Sequence, residues 1–134
     1  MKSHLYHLQL NIDFENLNFY KNFMEFMGWS VIFEMEGVIG YKSHTNGDIW
    51  FVEADKNEFS DYDTEGVNHI SLRVDTMSNV DEMKNYLEEK GIKMLFNTPL
   101  HRPEFTDSDS ETYYQIIFES PDKILFEIVY VGAK

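Results

Sequence analysis

The chain has 134 residues, which is the size of one domain. It is 43% hydrophobic and 16% aromatic, enough to bury a core despite a formal net charge of −13, so disorder is excluded. With 24 acidic residues against 11 basic ones, and Arg73 and Arg102 as the only arginines, a nucleic-acid surface is excluded as the main partner.

The chain contains no Cys, so it has no disulfide framework, no thiolate metal site and no Cys nucleophile. Met1–His7 carries no apolar signal core, and no stretch is long enough to span a bilayer. The expectation is a soluble cytoplasmic protein acting on a small molecule, with neither nucleic acid nor membrane as partner.

Residues 7–12 alternate: Leu8, Leu10 and Ile12 are apolar, His7, Gln9 and Asn11 polar, the pattern of a half-buried strand. Leu17, Tyr20, Phe23, Met24 and Met27 then recur at helical spacing, with Gly28 at the stop. Strands are expected at 29–35, 38–43 and 48–54, with Asn46-Gly47 as a hairpin turn. The same order then begins again. His69 to Asp75 repeats the pattern of His7 to Asp13, and Lys84 to Gly91 repeats Lys21 to Gly28. In the second copy Val80, Met83 and Leu87 form the helical stripe, Ser78 to Asp81 resembles a capping box, and Gly91 ends it. Strands are expected at 92–97, 113–119 and 124–131, with Pro121-Asp122 turning between the last two, and 99–112 is expected to be a loop. The chain reads as one α+β domain of two βαβββ repeats, about 1–58 and 66–131.

In both opening strands the apolar residues must face the helix. His7 and His69 therefore share the opposite face with Gln9 and Asn11, or with Ser71 and Arg73. The runs 49–54 and 124–131 are apolar on both faces except for Glu53 and Glu127, which are costly to bury without a cation or strong hydrogen bonds. Each half thus offers one His and one Glu at comparable places. Two imidazoles with one carboxylate suit Fe(II); with two carboxylates they suit Ni, Co, Mn or Zn. Arg73 is positioned to meet an anionic group, and Tyr41, Tyr113 and Tyr114 are candidates to line the same cavity.

Tyr6-His7-Leu8, Asp13 followed by Phe19-Tyr20, Gly66-Val67-Asn68-His69-Ile70, and Phe118 to Glu127 together resemble the vicinal oxygen chelate superfamily. That superfamily includes glyoxalase I, bleomycin-resistance proteins, fosfomycin-resistance thiol transferases and extradiol dioxygenases. The resemblance covers nearly the whole chain. It implies paired βαβββ modules forming an open, U-shaped mixed β-barrel around a central cavity and a divalent metal. Its ligand positions fall on His7, His69 and Glu127, and glyoxalase I adds a carboxylate that falls on Glu53. The set is similar to that of bacterial glyoxalase I, implying Ni, Co or Zn, with Mn or Fe as other members use. In that reading Glu127 is also the catalytic base, moving a proton between neighbouring carbons of an α-hydroxycarbonyl adduct through an enediolate. Arg73, Tyr41 and Tyr114 are the expected substrate contacts, and a homodimer is expected. The alternatives are thiol transfer to a fosfomycin-type antibiotic, or metal-free drug sequestration of the bleomycin-resistance type. Where the superfamily usually has Asp-Pro-Asp-Gly, this chain has Ser120-Pro121-Asp122-Lys123.

Overall fold

A computed structural model describes all residues 1–134, which divide into two compact units, Met1–Phe59 and Ser60–Lys134. In the first unit β1 (His7–Ile12) is followed by α1 (Leu17–Phe26), β2 (Ser30–Met35), β3 (Val38–Lys42) and β4 (Asp48–Glu53). The second unit has the same order: β5 (His69–Arg73), α2 (Met77–Glu89), β6 (Leu100–His101), β7 (Glu111–Glu119) and β8 (Leu125–Ala133). Each forms a four-stranded mixed sheet, ordered β1-β4-β3-β2 and β5-β8-β7-β6, in which only the first-to-last pair is parallel. The architecture is therefore α+β, built from two tandem βαβββ modules. No helix is long and apolar enough to cross a membrane.

Both helices end in the same way. Gly28 and Gly91 take left-handed φ values of 77° and 73°, open to residues without a Cβ. Trp29 N–H then donates to Met24 O at 3.0 Å, and Ile92 N–H to Leu87 O at 2.9 Å. These six-to-one bonds satisfy carbonyls that the helix leaves orphaned. At its start α2 is capped by the Thr76 hydroxyl, which accepts from Asn79 N–H at 3.1 Å. The expected cap at Ser78 is displaced by two residues, because Ser78 is already inside the helix.

The core of the first unit is aromatic: Tyr20 on α1 meets Phe51 on β4 with ring centroids 4.7 Å apart. In the second unit α2 packs on β7 and β8, burying Val80, Met83 and Leu87. Phe118 and Phe126 stack beneath them at 5.7 Å. Burial of each such side chain contributes roughly 1.5–3 kcal/mol.

The expected strand over 92–97 is not formed. Met94 makes one isolated bridge to Phe118, while Leu100 pairs with Gln115. Six steps along one strand thus oppose three along the other, and the surplus loops out through Phe96 and Asn97, both at positive φ. The sheet edge falls instead at Leu100–His101, inside the segment expected to be a loop, followed by a single 3-10 turn at Pro103–Phe105.

Candidate functional site

Sheet register decides which polar side chains meet. In the second unit Ser71 on β5 pairs with Glu127 on β8, so His69 lies two residues before Glu127's partner on the same face. Ile70 and Leu72, on the other face, are buried in the core. The side chain of His69 is 43% exposed and that of Glu127 is 3% exposed, and His69 Nε2 lies 3.4 Å from Glu127 Oε2.

The far side of each group is fixed. Asn68 Nδ2 donates to the Tyr62 carbonyl at 2.9 Å, which turns Asn68 Oδ1 toward His69 Nδ1 at 2.8 Å. An amide oxygen only accepts, so Nδ1 donates to it and Nε2 is the ring nitrogen turned toward Glu127. On Glu127, Oε1 accepts from the Tyr113 hydroxyl at 2.7 Å. Burial, followed by the hydrogen bond and charge of Glu127, pushes the Tyr113 pKa up to about 12, so this hydroxyl remains a donor at neutral pH.

His69 Nε2 thus faces a carboxylate oxygen across 3.4 Å. With Nε2 unprotonated the two atoms are both acceptors, and a metal cation between them would relieve their repulsion. The donor chemistry fits a divalent ion: a borderline nitrogen and a hard oxygen, each held from behind by an outer hydrogen bond. No third His, Asp or Glu joins the pair within this unit.

Other groups share the face. Arg73 Nη2 donates to Val131 O at 2.6 Å. From the segment after β6, Phe105 meets the Tyr113 ring edge-on at 5.3 Å, and the Arg102 guanidinium lies 4.6 Å from the Phe105 ring centre.

The first unit is built differently. His7 pairs with Asp48 and Gln9 with Trp50, on the face away from the core; Ile12 pairs with Glu53 on the core side. His7 and Glu53 therefore stand at opposite ends of β1 and β4, on opposite faces, about 17 Å apart along the strand. Glu53 lies beside the β2–β3 turn, its Oε2 3.5 Å from where a Cβ on Gly37 would stand. The structure thus corrects the expectation that Glu53 and Glu127 hold comparable places. Trp50 is the counterpart of Glu127, because Gln9 in β1 corresponds to Ser71 in β5.

Two expected substrate contacts also turn away from the polar face. Tyr41 pairs with Ile49 on the core side, is 2% exposed and packs against Phe51 at 6.1 Å. Tyr114 faces α2, where its hydroxyl donates to Asp81 Oδ1 at 2.7 Å. Tyr113, one residue earlier, reaches Glu127 instead, since successive strand residues alternate faces. Asn68 and Phe105 join the site without having been among the expected site residues. The polar Asn68 immediately before a candidate His was the one available signal.

No protein-family model and no curated protein matches the chain. Solved structures do. A candidate glyoxalase from Bacillus halodurans superposes with a TM-score of 0.76 at 23% identity, covering 94% of each chain. FosX, a genomically encoded fosfomycin resistance protein from Listeria monocytogenes, gives a TM-score of 0.67 at 22% identity, over 96% of this chain and 91% of FosX. A glyoxalase/bleomycin resistance protein/dioxygenase from Alicyclobacillus acidocaldarius gives 0.64 at 14% identity, over 95% and 90%. At these identities the likeness establishes the fold.

Proposed function

We propose that this chain, which has the fold of the vicinal oxygen chelate superfamily, is a divalent-metal-dependent enzyme of glyoxalase I type, acting on a small α-hydroxycarbonyl adduct such as a thiohemiacetal. The observation that supports this reading is the His69–Glu127 pair, a ring nitrogen and a carboxylate oxygen aimed at one point with their outer atoms already hydrogen-bonded. His69 Nε2 and Glu127 Oε2 would hold the ion, for which Ni, Co or Zn suits the nitrogen and oxygen donors. When bound, such an ion supplies Lewis-acid stabilisation of negative charge on two adjacent substrate oxygens.

The chain's own residues do the rest. Glu127 takes the proton from the hydroxyl-bearing carbon on the Oε1 lone pair that the Tyr113 hydroxyl leaves open and returns it to the neighbouring carbon, a role worth ~10²–10⁴-fold for a positioned carboxylate. Its burial keeps water from competing for that proton, and Asn68 holds the imidazole in the tautomer the site needs. Arg73, on the same face, is available to an anionic part of the substrate.

The test is metal-reconstituted protein given the thiohemiacetal of methylglyoxal and glutathione, and in parallel that of a simpler thiol. Thioester should form with the wild type and not with Glu127→Gln. Failure of the wild type with both adducts would overturn the isomerase reading.

One observation favours a second reading. With Trp50 in the position equivalent to Glu127, the first unit has no second carboxylate of the glyoxalase I kind there. Arg73 and Arg102 meanwhile stand on or beside the face that holds Glu127, as a phosphonate would require. Thiol addition to a fosfomycin-type phosphonate is that reading, and consumption of fosfomycin followed by phosphorus NMR separates it from isomerisation. Binding of a drug without turnover or metal would point to sequestration instead. Homodimerisation is proposed as well, since β2 is an edge strand with Val31, Ile32, Phe33 and Met35 all exposed. Light scattering during gel filtration tests it, and a monomeric mass would refute it.

A further inference from the structure

We infer that Tyr113 is a positioning residue of the metal centre proposed above: its hydroxyl occupies Glu127 Oε1, leaving Oε2 alone to face His69 Nε2. The inference rests on that metal reading and adds the way the carboxylate binds.

A carboxylate with both oxygens free can grip a cation through one or both of them. Here the choice is made before any cation arrives. Tyr113 pairs with Val131, four residues beyond Glu127 on β8, so the backbones at the two sites are separated by about 13 Å along the sheet. Only a long, rigid side chain carrying a terminal donor spans that gap on the shared face, and tyrosine is such a side chain. Phenylalanine has the reach without the donor, and Ser or Thr has the donor without the reach.

The ring is held in place from outside. Phe105 meets it edge-on at 5.3 Å and 72°, and Arg102 N–H donates to the Tyr113 carbonyl at 2.8 Å, tying this segment to β7. The stretch expected to be a loop therefore serves the site without touching Glu127. Hydrogen bonds to an ionised acceptor are roughly twice as strong as neutral ones, so the Tyr113–Glu127 bond is well able to fix one carboxylate orientation.

Cobalt(II) binding followed by visible absorption tests this, because the intensity of the cobalt band falls as coordination number rises. Tyr113→Phe preserves the ring and removes the donor. Its Co(II) affinity should fall about 10–100-fold, the usual cost of losing an outer partner of a metal ligand, and its band should weaken as Oε1 joins the ion. Phe105→Leu, which keeps the hydroxyl and loosens the ring, should shift both readouts the same way by less. Wild-type affinity and band shape in both variants would overturn the inference while leaving the metal reading intact. A wild type that binds no Co(II) would overturn the metal reading itself.

Discussion

Trp50 and Glu127 hold the same place in the two modules: Trp50 pairs with Gln9 in β1, and Glu127 pairs with Ser71 in β5. The repeat is thus preserved in backbone and divergent in chemistry, with an aromatic side chain in one unit and a buried acid in the other. Glu53, three residues beyond Trp50, falls on the core side of its sheet, where it does not share a face with His7. Glu53→Gln should therefore leave metal affinity unchanged in a cobalt titration. A loss comparable to that of Glu127→Gln would restore Glu53 to the ligand set.

Trp50 lies flat on Gly40 of the neighbouring strand. A Cβ on Gly40 would come within 2.8 Å of the indole ring, closer than real Cβ contacts allow. Gly40→Ala should destabilise the protein by about 1–3 kcal/mol through overpacking, read from urea denaturation. In a Trp50→Ala background the same change should cost far less, a coupling that a double-mutant cycle measures directly. Equal costs in the two backgrounds would refute the contact.

Lys123 closes the turn between β7 and β8 at a left-handed φ of 58°. Its N–H bonds to Ser120 O at 2.9 Å, and the Ser120 hydroxyl accepts from Ile124 N–H at 3.1 Å, so the turn closes without glycine. The left-handed conformation costs an L residue roughly 1–2 kcal/mol. Lys123→Gly relieves that cost but makes the unfolded chain more flexible, for a net gain of up to about 1 kcal/mol. Differential scanning calorimetry should show a Tm increase of about 1–4 °C.

Burial, then the charges of Glu34 and Glu25, pushes the Tyr41 pKa from 10.0 up to about 12. The folded state therefore favours the neutral phenol. Its contribution to stability is complete below pH 10 and is lost as pH rises toward 12. Denaturant midpoints measured across that window should fall with pH, and fall less steeply for Tyr41→Phe. Tyr113 and Tyr114, also raised to about 12, account for part of the remaining slope.

Much of this was legible in the sequence because it rests on local rules. The alternation in residues 7–12 and 69–73 is physical two-residue periodicity, and Gly28 and Gly91 end the helices by the same backbone geometry. What the sequence concealed was parity within uniformly apolar strands. In 49–53 and 113–118 the pattern shows no clear polar face, so Glu53 and Tyr114 could be assigned to either side. A one-residue difference in phase then separates Tyr113, which reaches Glu127, from Tyr114, which reaches Asp81. The edge strand at Leu100–His101 was hidden for another reason: its pairing depends on residues looped out around Phe96 and Asn97, which no periodicity encodes. Asn68 matters only through the Tyr62 carbonyl that orients its amide.

The most direct measurement is equilibrium dialysis against Ni(II), Co(II) and Zn(II) with elemental analysis of the wild type, His69→Ala and Glu127→Gln. The account predicts one tightly held ion per wild-type chain, with affinity lowered in His69→Ala and Glu127→Gln by more than about 100-fold, beyond the ~10–100-fold of an outer-sphere change. A wild type that retains none of the three metals, or a Glu127→Gln variant that binds as tightly as wild type, would contradict it.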